Sequence, residues 1–168
     1  MMVMRRLLPV LIMAMAFAGC SLDDKDDGGD VVERVKVGDR IPMFTVETVL
    51  SDGTKSVFSS AQLTGETVIV LFNTSCGDCQ RELPLLNDYY LRHRDDKGFQ
   101  MVAISREEGA ESVAAYWKEH ALEIPWSAQT DRSVYSLFAS SVIPRIYFCT
   151  AEGIVIRILI ERTEGLSN

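Results

Sequence analysis

Two cysteines, Cys76 and Cys79, stand two residues apart in the run "NTSCGDCQRELP". Thiols at this spacing suit three kinds of chemistry: electron exchange through a disulfide that opens and closes, half of a zinc site, or a purely structural bridge. Zinc would want two more ligands at a similar spacing. The only histidines are His93 and His120, and Cys149 stands by itself in a predicted strand. A bridge closing so small a loop would stabilise a fold little through chain entropy. Redox chemistry is the favoured reading.

Such thiols need elements to hold them. Thr67 to Phe72, "TVIVLF", is a continuous apolar and β-branched run, which predicts a central buried strand. The cysteines follow directly, and Gln80 to His93 reads as a helix with Leu83, Leu86, Tyr90 and Leu91 at apolar positions. Pro84 falls inside it and is expected to kink it. This arrangement puts Cys76 at a helix N-terminus, where unpaired N–H groups and the positive end of the dipole favour a thiolate. Cys79 lies one turn on, within reach of a mixed disulfide. Cys76 is the expected nucleophile and Cys79 the resolving thiol.

The rest of the chain supplies a sheet. "VKVGDRIPMFTVETV" and "SDGTKSVFS" read as a leading segment and a hairpin turning at Asp52-Gly53. Phe99 to Ser105 is a second buried strand. Ala110 to Ala121 is a helix with Val113, Trp117 and Ala121 on one side, and Pro125 to Ala128 is extended. Asp131 is a candidate cap for a short helix. Arg145 to Cys149 and Ile154 to Ile160 flank a Glu152-Gly153 turn. Strands joined through helices pair in parallel, and a final hairpin adds an antiparallel edge. Cys149, Trp117 and Trp126 are read as core residues. The predicted fold class is α/β.

These blocks together resemble the TlpA-like branch of the thioredoxin superfamily, tethered thiol-disulfide oxidoreductases of the bacterial envelope. "VGDRIPMFTVETVLSDG", "VIVLFNTSCGDCQRELP" and "TDRSVYSLFASSVIPRIYFCTAEGIVI" carry the likeness, in the family's order, over nearly all of Val35 to Ile160. The resemblance implies a thioredoxin-like fold, a redox-active Cys76–Cys79 disulfide with no other cofactor, and protein cysteines as substrates. It implies a cis peptide before Pro144, with Ile143 and Pro144 offering backbone to an extended partner chain. It also makes Glu82, in a CxxCxxExP pattern, a candidate proton acceptor beside Cys79.

The chain departs from the family in several places. Ser75 stands where Trp usually precedes the first cysteine. Val70 occupies the place of thioredoxin's buried acid. Asp78 lies between the cysteines and would oppose a second negative charge there, which points to a reductant or mild exchanger. Arg145 would bias substrate choice toward acidic partners. After Ile160 only "ERTEGLSN" remains, so either the helix that normally closes this fold is missing or the reading frame is truncated; a missing helix would leave apolar sheet surface uncovered.

The N-terminus sets the compartment. Arg5 and Arg6, the apolar run Leu7 to Phe17 and the small residues of "AFAGC" have the layout of a secretory signal peptide over residues 1–19. "FAGC" resembles a lipobox, which would make Cys20 a lipidated anchor. Residues 20–34 then form an acidic tether too polar to order itself, and 35–168 a single domain. The expected location is the bacterial cell envelope, lipid-anchored, with cysteine-containing envelope proteins and a membrane electron donor as partners. A formal charge of −7 makes nucleic acid a poor partner. Two alternatives compete: a peroxiredoxin-like peroxidase, and a non-catalytic binding lipoprotein of the same fold. For the peroxidase, Asn73 stands where a Thr three residues before the reactive cysteine would be needed.

Overall fold

A computed structural model describes residues 33–163. The signal peptide, the lipidation residue Cys20 and most of the tether lie outside the described residues. The elements in chain order are β1 (Thr45–Val49), β2 (Lys55–Ser59), β3 (Thr67–Phe72), α1 (Gly77–His93), β4 (Gln100–Ser105), α2 (Ala110–Glu119), β5 (Trp126–Ser127), α3 (Tyr135–Phe138), β6 (Arg145–Cys149) and β7 (Val155–Ile160). They build one sheet of seven strands in the order β2-β1-β5-β4-β3-β6-β7. This is the thioredoxin-like α/β arrangement expected from the sequence.

Position in the sheet explains the composition of β3. It pairs in parallel with β4 and antiparallel with β6, and all six of its residues are buried. A strand enclosed at both edges and on both faces is apolar nearly throughout, and the one polar residue of β3, Thr67, donates its hydroxyl to the Gly65 carbonyl at 3.2 Å, whereas β1 alternates exposed and buried positions. The β3–β4 and β4–β5 pairs are parallel; the β1–β2 and β6–β7 hairpins are antiparallel. Gly53, at φ 83°, supplies the left-handed residue that the first hairpin turn requires.

Helix α1 lies against the sheet through a stripe of Cys79, Glu82, Leu83, Leu86 and Tyr89, spaced three and four apart. It starts at Gly77 rather than Gln80, and it continues as one element through Pro84, whose ring sits on the exposed face. Tyr89 takes the buried place expected of Tyr90, which is only partly buried, as is Leu91. Two further expectations are corrected. Helix α2 ends at Glu119, and Ala121 is exposed at φ 50°, so it belongs to the turn after the helix. Asp131 does not cap α3, which begins four residues later; its Oδ1 accepts from the Ser133 N–H at 2.8 Å and closes a local turn. A short side chain at this position satisfies the nearest backbone donor it can reach.

The two tryptophans are core. Trp117 packs 4.9 Å from Phe72, ring centre to ring centre, and its Nε1 donates to the Ile124 carbonyl at 2.9 Å. Cys149 is fully buried. Among the described residues no helix follows β7. Thr163 instead turns back to α1, and Ile156 is left exposed on the edge strand.

The approach to β3 and β4 depends on two glycines in contact. A Cβ built on Gly98 would stand 2.5 Å from the Thr64 carbonyl oxygen, and one on Gly65 would stand 2.6 Å from the Gly98 oxygen. Backbone on both sides leaves neither room to give. Gly98→Ala should therefore cost about 1–3 kcal/mol in urea unfolding. Gly77→Ala, with nothing within 4 Å of the added carbon, should leave the midpoint close to wild type.

Candidate active site

The junction between β3 and α1 carries the cysteines. Cys76 is the N-cap of α1, in extended conformation at φ −82° and ψ 120°. Its N–H donates to the Asn73 carbonyl at 3.1 Å, and its own carbonyl receives the Gln80 N–H at 3.0 Å. The sequence expectation of a thiol at the helix start is met in the geometry. Cys76 is partly exposed, whereas Cys79, one turn on, is fully buried. Burial pushes the Cys79 thiol well above the usual range, aided by the neighbouring Cys76 sulfur and opposed by the Asn73 backbone and the Arg106 charge. One thiol is thus presented and the other kept protonated behind it. That is the asymmetry needed between an attacking and a resolving cysteine.

The loop leading to Cys76 is bonded at each residue. Asn73 Nδ2 donates to the Arg106 carbonyl at 2.9 Å, and its Oδ1 accepts from both the N–H and the hydroxyl of Ser75. Gln80 Nε2 donates to the Thr74 carbonyl at 2.8 Å. Thr74 is anchored by Glu108, a residue the sequence reading passed over. The buried Glu108 carboxylate accepts from the Thr74 N–H at 2.7 Å, from the Thr74 hydroxyl and from the Ser112 hydroxyl at 2.5 Å. The spacing of Glu108 to Ser112, one helical turn across the start of α2, is the signal that was available in the sequence.

Opposite Cys76 lies the loop before β6. The Ile143–Pro144 bond is cis, and the Cys76 Sγ approaches the Ile143 carbonyl at 3.6 Å. Ile143 and Pro144 are therefore brought to Cys76, as the resemblance implied. Val142, just before them, sits at φ 69°, a conformation that costs a β-branched residue on the order of 1–3 kcal/mol.

Two expectations change here. Arg145 is fully buried, so its charge does not face a substrate. Its Nε donates to the Ser141 and Val142 carbonyls, both at 3.1 Å, and its Nη1 lies 3.5 Å from Glu33. A guanidinium in the interior needs such carbonyl and carboxylate partners. Asp78 is not an isolated negative charge, since its carboxylate pairs with Arg81 one turn along the helix. Its opposition to a thiolate is offset locally.

Glu82 is buried on the same stripe of α1 as Cys79. Both the N–H of Thr163, at 2.9 Å, and its hydroxyl converge on Glu82 Oε2. The segment after β7 is thus fastened to the helix that carries the cysteines. Val70 is fully buried between Ala103 and Ile146, and the position offers no carboxylate. Among the described residues no three His, Cys, Asp or Glu side chains group as metal ligands would.

A thioredoxin-type sheet with a CxxC pair at the β3–α1 junction defines the class of a thiol-redox protein. The AhpC/TSA family matches residues 37–158, and the chain belongs to that family. It is 27% identical to the thiol-disulfide oxidoreductase ResA of Oceanobacillus iheyensis over 168 aligned residues, 96% of this chain and 84% of that protein. Its fold is similar to the solution structure of a candidate protein disulfide isomerase from Bacteroides thetaiotaomicron, with TM-score 0.71 and 23% identity over 81% of this chain and 86% of the other. It is similar also to the reduced 2-Cys peroxiredoxin of Plasmodium vivax, with TM-score 0.60 and 14% identity over 74% and 84% of the two chains. The family and the ResA match put the chain in the thiol-disulfide oxidoreductase class of this fold.

The burial pattern makes two predictions. In the native reduced protein, alkylation followed by peptide mapping should label Cys76, while Cys79 and Cys149 react only on unfolding. The Cys149 thiol is pushed up to about 12 by burial, from a usual value of 9.0. The native state therefore keeps a proton that the unfolded chain releases. Stability of the reduced protein should be intact below pH 9 and fall as pH rises toward 12, and Cys149→Ala should flatten that slope in urea unfolding. Glu108→Ala should cost about 1–3 kcal/mol, since it strands the Thr74 N–H in the interior, with Glu108→Gln retaining part of the loss.

Proposed function

We propose that this protein exchanges thiols and disulfides with protein cysteines through a Cys76–Cys79 couple, with no other cofactor. The observation that carries the reading is the pairing of a presented thiol with a buried one at a helix start, facing the Ile143 carbonyl at 3.6 Å. In the reducing direction the Cys76 thiolate attacks a substrate disulfide. One S–S bond forms, the substrate's S–S bond breaks, and the leaving sulfur takes a proton from solvent. Cys79, losing its proton, then attacks the Cys76 sulfur of the mixed disulfide. The substrate leaves as a dithiol, and the enzyme is left with the Cys76–Cys79 disulfide. The proton on Cys79 must be removed for the second step, because burial holds that thiol protonated. Glu82 is the proposed acceptor, being a buried carboxylate on the same helical stripe.

Ile143 and Pro144 form the proposed substrate-binding edge, where an extended peptide would pair with backbone beside Cys76. The proposed location is the bacterial cell envelope, with a Cys20 lipid anchor, envelope proteins as substrates and a membrane donor to return electrons. The basic, apolar and small-residue order of residues 1–20 supports this. The proposed working direction is reduction or mild exchange. The Asp78 carboxylate between the cysteines supports it, in part offset by its pairing with Arg81.

The peroxidase reading has less support at the site. Both polar atoms of Asn73 are committed to Arg106 and Ser75, and the Thr74 hydroxyl donates to Glu108. Neither side chain is set to orient a peroxide at Cys76.

Insulin reduction with dithiothreitol as electron source should proceed with wild type and be abolished by Cys76→Ser. Cys79→Ser should instead accumulate a mixed disulfide on Cys76 that mass spectrometry can read. Rapid hydrogen peroxide turnover without insulin reduction would replace this reading with the peroxidase one. Glu82→Gln should slow release of substrate from the mixed disulfide by about a hundredfold or more, the low end for loss of a general base, while leaving the first attack unchanged.

A further inference from the structure

Three consecutive backbone carbonyls precede the Ile143–Pro144 pair, and each is held by a side chain from one of the flanking segments. Arg132 Nη2 donates to the Ser140 carbonyl at 2.5 Å. Arg145 Nε, from the first residue of β6, donates to the Ser141 and Val142 carbonyls at 3.1 Å. The Tyr135 hydroxyl, from α3, donates to the Val142 carbonyl at 3.0 Å. The donors are themselves fixed. Two guanidinium groups lie over the Tyr135 ring, with the Arg106 carbon 4.9 Å and the Arg132 carbon 5.2 Å from its centre. Arg132 also pairs with Glu107 at 3.3 Å, and Arg145 is fully buried with Glu33 at 3.5 Å.

We infer that Tyr135, Arg132 and Arg145 form a clamp whose task is to present the Ile143 backbone to a substrate strand, making them positioning residues for substrate binding. The inference rests on the thiol-disulfide reading above. Val142 at φ 69° is the reason a clamp is needed. A β-branched residue does not hold the left-handed region unaided, and relaxation to an extended conformation would swing the next peptide unit. With carbonyls 140 to 142 drawn to the three donors, the Ile143 carbonyl is directed to Cys76, 3.6 Å from its sulfur. None of the three carbonyls is free to pair with a substrate, so the clamp also confines strand pairing to Ile143 and its cis-proline neighbour. The clamp does not touch the cysteines. It acts on binding of the peptide chain around a disulfide, and leaves the chemistry of the thiols alone.

The test separates these roles with two kinds of substrate. Tyr135→Phe removes one hydroxyl and keeps the ring. With a disulfide-bonded peptide as substrate, KM should rise about three- to tenfold, the loss expected for one hydrogen bond, while kcat stays within about twofold. The rate of Cys76 alkylation by iodoacetamide, which needs no peptide pairing, should equal wild type. If Tyr135→Phe unfolds, Arg132→Gln reads the same clamp from Ser140, at a partly exposed residue. An unchanged KM in a folded variant overturns the clamp, as does an alkylation rate that falls in step with turnover, which would place the effect at the thiol. A wild type that reduces no disulfide overturns the thiol-disulfide reading and the clamp with it. Peptide reduction by wild type with no KM change in the variant overturns the clamp alone.

Discussion

The site depends on β3 being paired along both edges at once. Its parallel partner β4 and antiparallel partner β6 fix where the strand ends, and the chain must leave it at Asn73. Leu71 lies opposite Arg145 in the β6 register, so the end of β3 and the start of β6 are held side by side. Cys76 belongs to the first of these ends and Ile143–Pro144 to the second. Their 3.6 Å contact follows from strand pairing within the core, where a one-residue slip would turn every buried side chain to the other face.

Two buried carboxylates then tie the junction to its surroundings from opposite sides. Glu108, at the start of α2, holds Thr74 before the cysteines. Glu82, within α1, holds Thr163 after β7. Each accepts more than one hydrogen bond in a region of low dielectric, where such bonds are strong and the loss of a partner is costly. The consequence for function is a rigid frame around a sulfur pair that differs sharply in exposure. The presented thiol and the protonated one behind it arise from burial, one helical turn apart, with no special residue between them.

The sequence made some of this legible and concealed the rest, for physical reasons. Strand β3 was plain because an enclosed strand must be apolar over nearly its whole length. The cysteines were plain because their spacing and the helix after them carry the chemistry. Local capping was less so: Asp131 reads like a helix cap, but the nearer Ser133 N–H takes its carboxylate. Arg145 was the largest misreading. A charge beside a substrate loop is expected to face solvent, yet here it is enclosed by the Ser141 and Val142 carbonyls and by Glu33. Glu108 escaped notice because its partner Thr74 is distant in sequence, and only the folded β3–β4 pair brings them together. The Asp78–Arg81 pair, by contrast, stood at helical spacing and was available to be read.

The central claim is that Cys76 and Cys79 form one reversible two-electron couple, apart from Cys149. Equilibrating the protein across a dithiothreitol redox series, quenching with alkylating reagent and weighing the products tests it directly. The account predicts a single transition in which two thiols are lost together, peptide mapping places the new disulfide at Cys76–Cys79, and Cys149 remains a free thiol throughout. A disulfide that includes Cys149, or an intermolecular Cys76 dimer with Cys79 still reduced, would contradict it.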